Sequence, residues 1–379
     1  MELSEIREKI DAVDEQLLDL FLQRMDLSDE VAAYKNAHHL PILNKERERA
    51  ILAKVTEKSG ERERYAYHLF STLFELARSR QAELISAPTK VAAQVHASLE
   101  AGTSVFPQTG LVACQGVEGA NSQVACDRLL PRGNIVYVKT FQAVVSAVES
   151  GLCRFGVLPI ENSSNGSVRA VYELLQDHNL SIVRSTRLCI RHELLTLPGV
   201  KMEDITEIYS HEQAISQCGA FLAQHPEITV IRCENTAAAA KRVAESDHPG
   251  AAALASRSCA DLYGLTCLAD AVQDQGSNFT RFICIAKKLE IYPGADRTSL
   301  MMVLPHRPGS LYQVLSRFYA LGINLNKLES RPMPERNFEF MFYFDLETPV
   351  YAPRFRQLMG ELPALCEEFS YLGSYSEVI

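Results

Sequence analysis

The chain has 379 residues, a length that predicts two or three domains. Its hydrophobic content of 47% is ample for packed cores, and its formal net charge of −9 argues against nucleic acid or a membrane surface as partner. Ten cysteines lack paired metal-ligand spacing, no signal peptide opens the sequence, and no apolar stretch approaches the roughly 18 residues of a membrane span, so the expectation is a cytoplasmic chain with reduced thiols.

With that overall charge, a site for an anion has to be built locally from basic residues. Residues 1–86 read as helical. Leu3, Ile6, Ile10, Val13, Leu17, Leu20, Leu27, Val31 and Tyr34 recur at spacings of three and four, one stripe on one helix of about 33 residues, roughly 50 Å. Pro41 ends it. Arg24 falls inside the stripe, and Arg7 and Lys35 flank it. A second helix runs from Asn44, a plausible N-cap, through Glu57 and carries Arg47 and Glu48. A third covers Arg62 to Ile85, with Tyr65, Leu69, Leu73 and Leu76 on one face and Gln81 further on.

Three such helices cannot enclose the long one, and burying its stripe is worth about 25 cal/mol per Å². The expectation is a homo-oligomer, at least a dimer, with intertwined long helices. Basic side chains buried in that core cost several kcal/mol each without anions. Arg7 and Lys35 alone read as snorkelling surface residues. Arg24 in mid-stripe, with Gln81 and Glu48 at hand, points to an anion pocket. On Ile6-Arg7-Glu8-Lys9-Ile10-Asp11, Arg24, Lys35, Arg47-Glu48-Arg49 and Gln81, these residues resemble the all-helical chorismate mutase domain. The resemblance implies a pericyclic rearrangement of chorismate, which needs no nucleophile or metal. It implies that Arg7 from the partner chain and Arg24 hold carboxylates, and that Lys35 and Gln81 donate to the ether oxygen. Glu48 then takes the ring hydroxyl, and Arg47 lies at the carboxylate end. Asn44 stands where Asp is expected and Ala77 where some relatives have Ser. Neither removes a cation, so affinity rather than chemistry should change.

Residues 87–109 read as a connection: a break at Ala87-Pro88-Thr89, a short helix from Val91 to Glu100, then loop at Ala101-Gly102-Thr103-Ser104 and from Pro107 to Gly110.

Residues 110–286 alternate strands and helices. Leu111–Cys114 and Phe155–Ile160 are strand candidates. Gln115 to Ser122 is a glycine turn feeding a helix, whose N-terminus suits a phosphate or a carboxylate. Glu161 to Ser167 is a polar run before a helix from Val168 to Gln176, either capping or a ligand cradle. Ser181–Val183 and Thr186–Ile190 read as two strands crossing to a second lobe, where strands lead into helices at Ser210-His211 and Asn235-Thr236. His211 alone reads as a cap or surface residue. Asn278-Phe279-Thr280-Arg281-Phe282 follows the polar approach Gln273-Asp274-Gln275-Gly276-Ser277 and precedes the apolar strand Ile283–Ala286. That places a hydroxyl, a guanidinium and an amide at a loop-to-strand junction. The pattern predicts two α/β lobes facing a cleft.

With Pro159-Ile160-Glu161-Asn162-Ser163, Tyr209-Ser210-His211 and Leu262-Tyr263-Gly264-Leu265, that motif makes the segment resemble a prephenate dehydratase domain. Val117 stands where many relatives have Pro, and Asn121 where many have an aromatic. The resemblance implies that prephenate loses its ring hydroxyl and CO2 together. Thr280 is then the catalytic hydroxyl, acting through pre-organised hydrogen bonds. Asn162, Ser163 and Ser210 orient the substrate, Arg281 is the nearest cation for a carboxylate, and Phe279 and Phe282 desolvate the departing one. In a regular strand Arg281 points opposite to Thr280.

Residues 295–379 read in the order βαββαβ, which is ferredoxin-like. The strands are Ser299–Leu304, Gly322–Leu328 reaching Glu329-Ser330-Arg331-Pro332, Phe338–Leu346 and Phe369–Tyr375, and the helices begin at Pro308-Gly309-Ser310-Leu311 and Arg354. Arg307-Pro308-Gly309-Ser310-Leu311 and Glu329-Ser330-Arg331-Pro332 resemble an ACT regulatory domain. It implies paired domains with L-phenylalanine bound between them, near Gly309, Ser310, Leu311, Glu329, Ser330 and Arg331. The whole then reads as a bifunctional enzyme without metal or organic cofactor, converting chorismate to prephenate and prephenate to phenylpyruvate under feedback by L-phenylalanine. Two alternatives stand beside it: a non-catalytic amino-acid-binding regulator, and a dehydratase that prefers arogenate.

Overall fold

The computed structural model describes residues 2–85, 89–100, 105–274, 276–333 and 339–379. The expected break at Ala87-Pro88, the loop at Ala101–Ser104, Gln275 of the polar approach and the strand start at Phe338 lie outside the described residues. Contacts divide the chain into two compact units. One comprises Met1–Gln94, Leu304–Gly322 and Tyr351–Glu368; the other comprises Val95–Val303, Ile323–Val350 and Phe369–Ile379.

The N-terminal region is helical: α1 (Leu3–Ala37), α2 (Lys45–Ser59), α3 (Glu63–Ile85) and α4 (Lys90–Glu100). Asn44 caps α2, its side chain accepting from the Arg47 amide at 3.0 Å. Helices α1 and α2 both pack on α3. Only Ser28 and Ala32 of α1 are buried, and Leu3, Ile10, Val13, Leu17, Leu20 and Leu27 are each more than half exposed.

The first lobe of the second unit holds β1 (Thr109–Gln115), α5 (Asn121–Leu129), β2 (Arg132–Val138), α6 (Phe141–Glu149), β3 (Phe155–Asn162), β4 (Gly166–Ser167), α7 (Arg169–Asp177) and β5 (Ser181–Cys189). The second holds β6 (Glu193–Thr196), β7 (Glu207–Ser210), α8 (Glu212–Gln217), α9 (Gly219–Ala223), β8 (Thr229–Arg232), α10 (Thr236–Ala244), β9 (Ala251–Ala255), α11 (Arg257–Tyr263) and β10 (Thr266–Ala269). The chain then returns as β11 (Phe279–Ala286) into the first lobe, so the lobes are joined by two crossings. The second lobe's sheet runs β10-β6-β9-β7-β8. The apolar faces of β3 and β11 pack Leu158, Ile160, Ile283 and Ile285 against Val144 and Val148 of α6. Gly156 admits α6 this closely, since a Cβ there would sit 2.7 Å from Val144 Cγ1.

The remaining elements are β12 (Arg297–Val303), α12 (Ser310–Ala320), β13 (Asn324–Pro332), β14 (Phe340–Glu347), α13 (Pro353–Leu365) and β15 (Glu368–Val378). Their strands do not form a separate sheet. Ser376–Val378 of β15 pair in parallel with Arg184–Thr186 of β5, and one sheet runs β13-β14-β12-β15-β5-β11-β3-β1-β2. In the first unit α13 packs on α3 and α12.

One expectation is corrected. Ser181–Cys189 is not two strands but the single strand β5, because both its edges are paired, with β11 and with β15. Thr280 does sit at the loop-to-strand junction, with Asn278 the last loop residue and Phe279 the first of β11. The polar ends of β11 and β3 pair with one another, Thr280 opposite Asn162 and Arg281 opposite Glu161.

Candidate active sites

The two lobes of the second unit enclose a cleft of about 400 Å³. Thr280 and Asn162 line it, and so do the starts of α5, α8 and α10. Asn162 Nδ2 donates to Thr280 Oγ1 at 2.9 Å and to Asn278 Oδ1 at 2.7 Å, while Asn162 Oδ1 accepts from the amides of Ser164 and Asn165. Asn278 Nδ2 in turn donates to Gln217 Oε1 at 3.0 Å, which also meets His192 Nε2 at 3.0 Å. Gln217 Oε1 can only accept, so His192 carries its proton on Nε2. Burial holds the His192 imidazole below its ordinary pKa, against the opposing pull of the Gln217 hydrogen bond. Its Nδ1 is buried without a hydrogen-bond partner in the cleft wall. The result is a continuous hydrogen-bonded row from His192 to Thr280.

Among the described residues that line this cleft none is Lys or Arg, and Glu234 is an anion there. Anion-binding capacity comes from backbone. Helix α5 starts after Ala120 with no side-chain cap, so its first amides are open to a ligand, and α10 starts at the rim behind Asn235. His211 caps α8, its Nδ1 accepting from the Gln213 amide at 3.3 Å.

The structure separates the other residues expected at this site. Ser163 accepts from the Phe279 amide at 2.8 Å and donates to the Ser277 carbonyl at 3.0 Å, clamping the start of β11. Ser210 is fully buried and donates to the Leu254 carbonyl at 2.7 Å, inside the second lobe's sheet rather than in the cleft. Arg281 is not available to a substrate carboxylate. Strand alternation sends it to the far face, where it is only 5% exposed and meets Asp345, Glu161 and the Tyr375 hydroxyl. Phe282 lines the cleft, and Phe279 does not. His192, Gln217 and Glu234 were not legible as site residues. The only local signal was that Gln217 lies on the helix that His211 opens.

In the helical region Lys35, Gln81, Glu48 and Arg24 gather around α3. Lys35 Nζ donates to Gln81 Oε1 at 2.9 Å, and Gln81 Nε2 to Ser28 Oγ at 3.1 Å. Arg24 Nη1 donates to the Leu73 carbonyl at 2.9 Å, and its guanidinium lies 5.6 Å from the Phe74 ring centroid. Glu48 pairs with Arg78 at 2.5 Å, a cation that sequence reading missed although it stands one turn before Gln81. Burial lowers the Lys35 pKa first; Glu48 opposes this, and Arg47 and Arg78 add to it. Burial likewise lowers that of Arg24, against Glu48. An excess of cations around one carboxylate is the electrostatic signature of an anion pocket. Asn44 and Ala77 leave these cations in place; Ala77 is buried, and its carbonyl accepts from Ser28 Oγ at 3.3 Å. Arg7 lies about 25 Å from Arg24 along α1 at the helical rise.

Gly309, Ser310 and Leu311 belong to the first unit, Glu329, Ser330 and Arg331 to the second. Gly309 precedes α12 with a φ of 86°, and Ser310 Oγ is buried without a hydrogen-bond partner. Glu329 pairs with Arg331 at 3.0 Å and accepts from Ser167 Oγ at 2.8 Å.

Among the described residues no helix is long and apolar enough to cross a membrane. The chorismate mutase type II family model matches residues 6–82, and the prephenate dehydratase family model matches residues 112–290. The chain is 31% identical over 383 residues to the bifunctional chorismate mutase/prephenate dehydratase of Escherichia coli (strain K12), covering 98% of this chain and 95% of that protein. It is 38% identical over 283 residues to arogenate dehydratase 2 of Petunia hybrida, covering 70% of this chain and 71% of the relative. Among solved structures, a prephenate dehydratase from Arthrobacter aurescens in complex with L-Phe aligns with a TM-score of 0.64 at 28% identity, covering 70% of this chain and 90% of that one.

Proposed function

Because this chain belongs to the bifunctional chorismate mutase/prephenate dehydratase family, we propose how its residues divide the two reactions of phenylalanine biosynthesis that it catalyses, chorismate to prephenate and prephenate to phenylpyruvate. The observation that carries the dehydratase assignment is the hydrogen bond from Asn162 Nδ2 to Thr280 Oγ1 at 2.9 Å. With its oxygen accepting from Asn162, Thr280 keeps its own proton free to donate to the leaving ring hydroxyl. A threonine hydroxyl is far too weak an acid to transfer that proton outright, so it acts as a pre-organised donor. Aromatisation supplies the driving force. A cation on the departing carboxylate would oppose loss of CO2; the lining residues without Lys or Arg and the apolar Phe282 favour it. The open amides of α5 serve the carboxylate that stays.

The mutase reaction is pericyclic and asks only for a fixed chair and for donors at the ether oxygen. Lys35 and Gln81, already hydrogen-bonded to one another, supply the donors, and Arg24 with Arg47 holds carboxylate. Arg7 serves this pocket from a second copy, being too distant within its own chain. The exposed apolar stripe of α1 supports the same homodimer. The order βαββαβ from Arg297, with Gly309 ahead of α12, supports an ACT domain, and the Arthrobacter prephenate dehydratase in complex with L-Phe supports L-phenylalanine as its ligand. All ten cysteines are free thiols, as suits a cytoplasmic enzyme.

Purified protein offered chorismate and prephenate in separate assays tests the reading. Turnover of both is expected, with phenylpyruvate as the end product. Binding of either without turnover would reduce the protein to a sensor, and faster turnover of arogenate than of prephenate would move it toward the plant relatives.

A further inference from the structure

The back of the dehydratase strands carries charges that the reaction does not use. Thr280 and Asn162 face one another, and their chain neighbours Arg281 and Glu161 form the next register pair. Arg281 Nη1 meets Glu161 Oε1 at 3.2 Å and Asp345 Oδ2 of β14 at closer range, and Nη2 donates to the Tyr375 hydroxyl of β15 at 2.7 Å. Ser299 of β12 lies between, its Oγ bonded to Asp345, to Tyr375 at 2.7 Å and to the Tyr343 hydroxyl at 2.9 Å. Lys327 of β13 closes the group on Glu161 and on Ser167 Oγ at 2.9 Å, and Ser167 also donates to Glu329.

Arg281, Asp345, Ser299, Tyr343 and Tyr375 are all at most 5% exposed. Arg281 and Lys327 face Glu161 and Asp345, and Glu377, itself paired with Arg297 and Arg187, lies 4.0 Å from Arg281 Nε. Asp345 is the buried carboxylate nearest Arg281, so its removal leaves that guanidinium under-compensated. At Gly373, with a φ of 140°, any side chain would strike the Ile182 backbone; this glycine lets β15 pass onto β5, which lies beside β11. Backbone pairing and side-chain bonding therefore connect the same strands.

We propose that Arg281 is a positioning residue for the dehydratase reaction, which holds Thr280 in register with Asn162 by anchoring β11 to Asp345 and Tyr375 of the C-terminal strands. The proposal rests on the reading of the cleft as the dehydratase site. Its consequence is that the geometry of the Thr280 hydroxyl depends on strands that never touch the substrate. An effector that shifts β13 or β14 acts on turnover through this anchor.

The test uses the full-length protein. Asp345→Asn keeps shape and removes the anchoring charge. It is expected to lower kcat on prephenate about tenfold or more, as displacement of a reacting group by a fraction of an ångström does, with KM nearly unchanged, while Asp345→Glu recovers much of the loss. The concentration of L-phenylalanine needed for half inhibition is expected to rise in Asp345→Asn. Tyr375→Phe removes one hydrogen bond without a charge and should lower kcat less, again at constant KM; it decides the matter if Asp345→Asn does not fold by near-ultraviolet circular dichroism. Wild-type kcat in a folded Asp345→Asn, or in Tyr375→Phe where that variant decides, overturns the proposal, and so does a loss confined to KM. A Thr280→Ala control separates the two readings. If it keeps full activity the cleft assignment fails, and if it loses activity while the anchor variants do not, the positioning role alone fails.

Discussion

Asn162 Nδ2 lies 2.9 Å from Thr280 Oγ1, and the two residues are a register pair across the antiparallel strands β3 and β11. The backbone ladder thus sets the hydroxyl's neighbour before any side-chain packing is considered. Thr280→Ala is expected to cost on the order of 10²-fold in dehydratase kcat, the loss seen when one pre-organised donor is removed. Thr280→Ser should keep much more activity. Steady-state assays on prephenate, with mutase turnover of the same preparation as reference, check both.

Arg24 donates to the Leu73 carbonyl and lies 5.6 Å from the Phe74 ring centroid, and with Lys35, Gln81 and Glu48 it is proposed to form the mutase pocket. Arg24→Ala should lower mutase kcat/KM by about 10²-fold or more through the unpaired substrate carboxylate. Dehydratase activity on supplied prephenate should stay near wild type. Equal loss of both activities would make Arg24 structural.

His192 gives a pH dependence whose sign follows from burial. Its folded pKa is lowered, so below the ordinary value of about 6.5 the unfolded chain binds the proton first. The neutral buried imidazole contributes stability above that pH, and the contribution is lost as pH falls toward the folded pKa, by at most about 1.4 kcal/mol per pH unit. Urea midpoints compared at pH 7.5 and 5.5 should show a larger drop for wild type than for His192→Asn. An equal drop would place the sensitivity elsewhere.

Leu17 is 52% exposed on α1, within the stripe assigned to the second copy. Leu17→Glu is expected to dissociate the dimer in sedimentation equilibrium and to abolish most mutase activity, because Arg7 then has no partner pocket. A monomeric wild type with full mutase activity would overturn both the dimer and the role of Arg7.

Gly309 occupies a φ of 86°, a region that side chains with a Cβ rarely adopt. Gly309→Val should strain the start of α12, weaken L-phenylalanine binding in calorimetry and relieve inhibition of the dehydratase at undiminished turnover. Inhibition that persists unchanged would move the effector away from this helix start.

Periodicity along the chain was enough to determine the long apolar helix, the second helix capped by Asn44, the alternation of the two lobes and the βαββαβ order, because each depends on neighbours three, four or two residues apart. Arg24 was legible for the same reason, since it interrupts the apolar stripe, whereas Lys35 and the motif around Thr280 were read from the family resemblance. Other features were settled by folding alone. Strand alternation already turned Arg281 away from Thr280, but its partner Asp345 is reached only through the C-terminal strands. His192 and Gln217 join the row to Thr280 across two crossings between lobes, and no spacing in the sequence encodes that approach. Ser210 carries the residue type of a substrate ligand, but its place in β7 spends its hydroxyl on the Leu254 carbonyl. Side-chain chemistry is written residue by residue, whereas the partner of a buried polar group is chosen by whichever strand the sheet lays beside it.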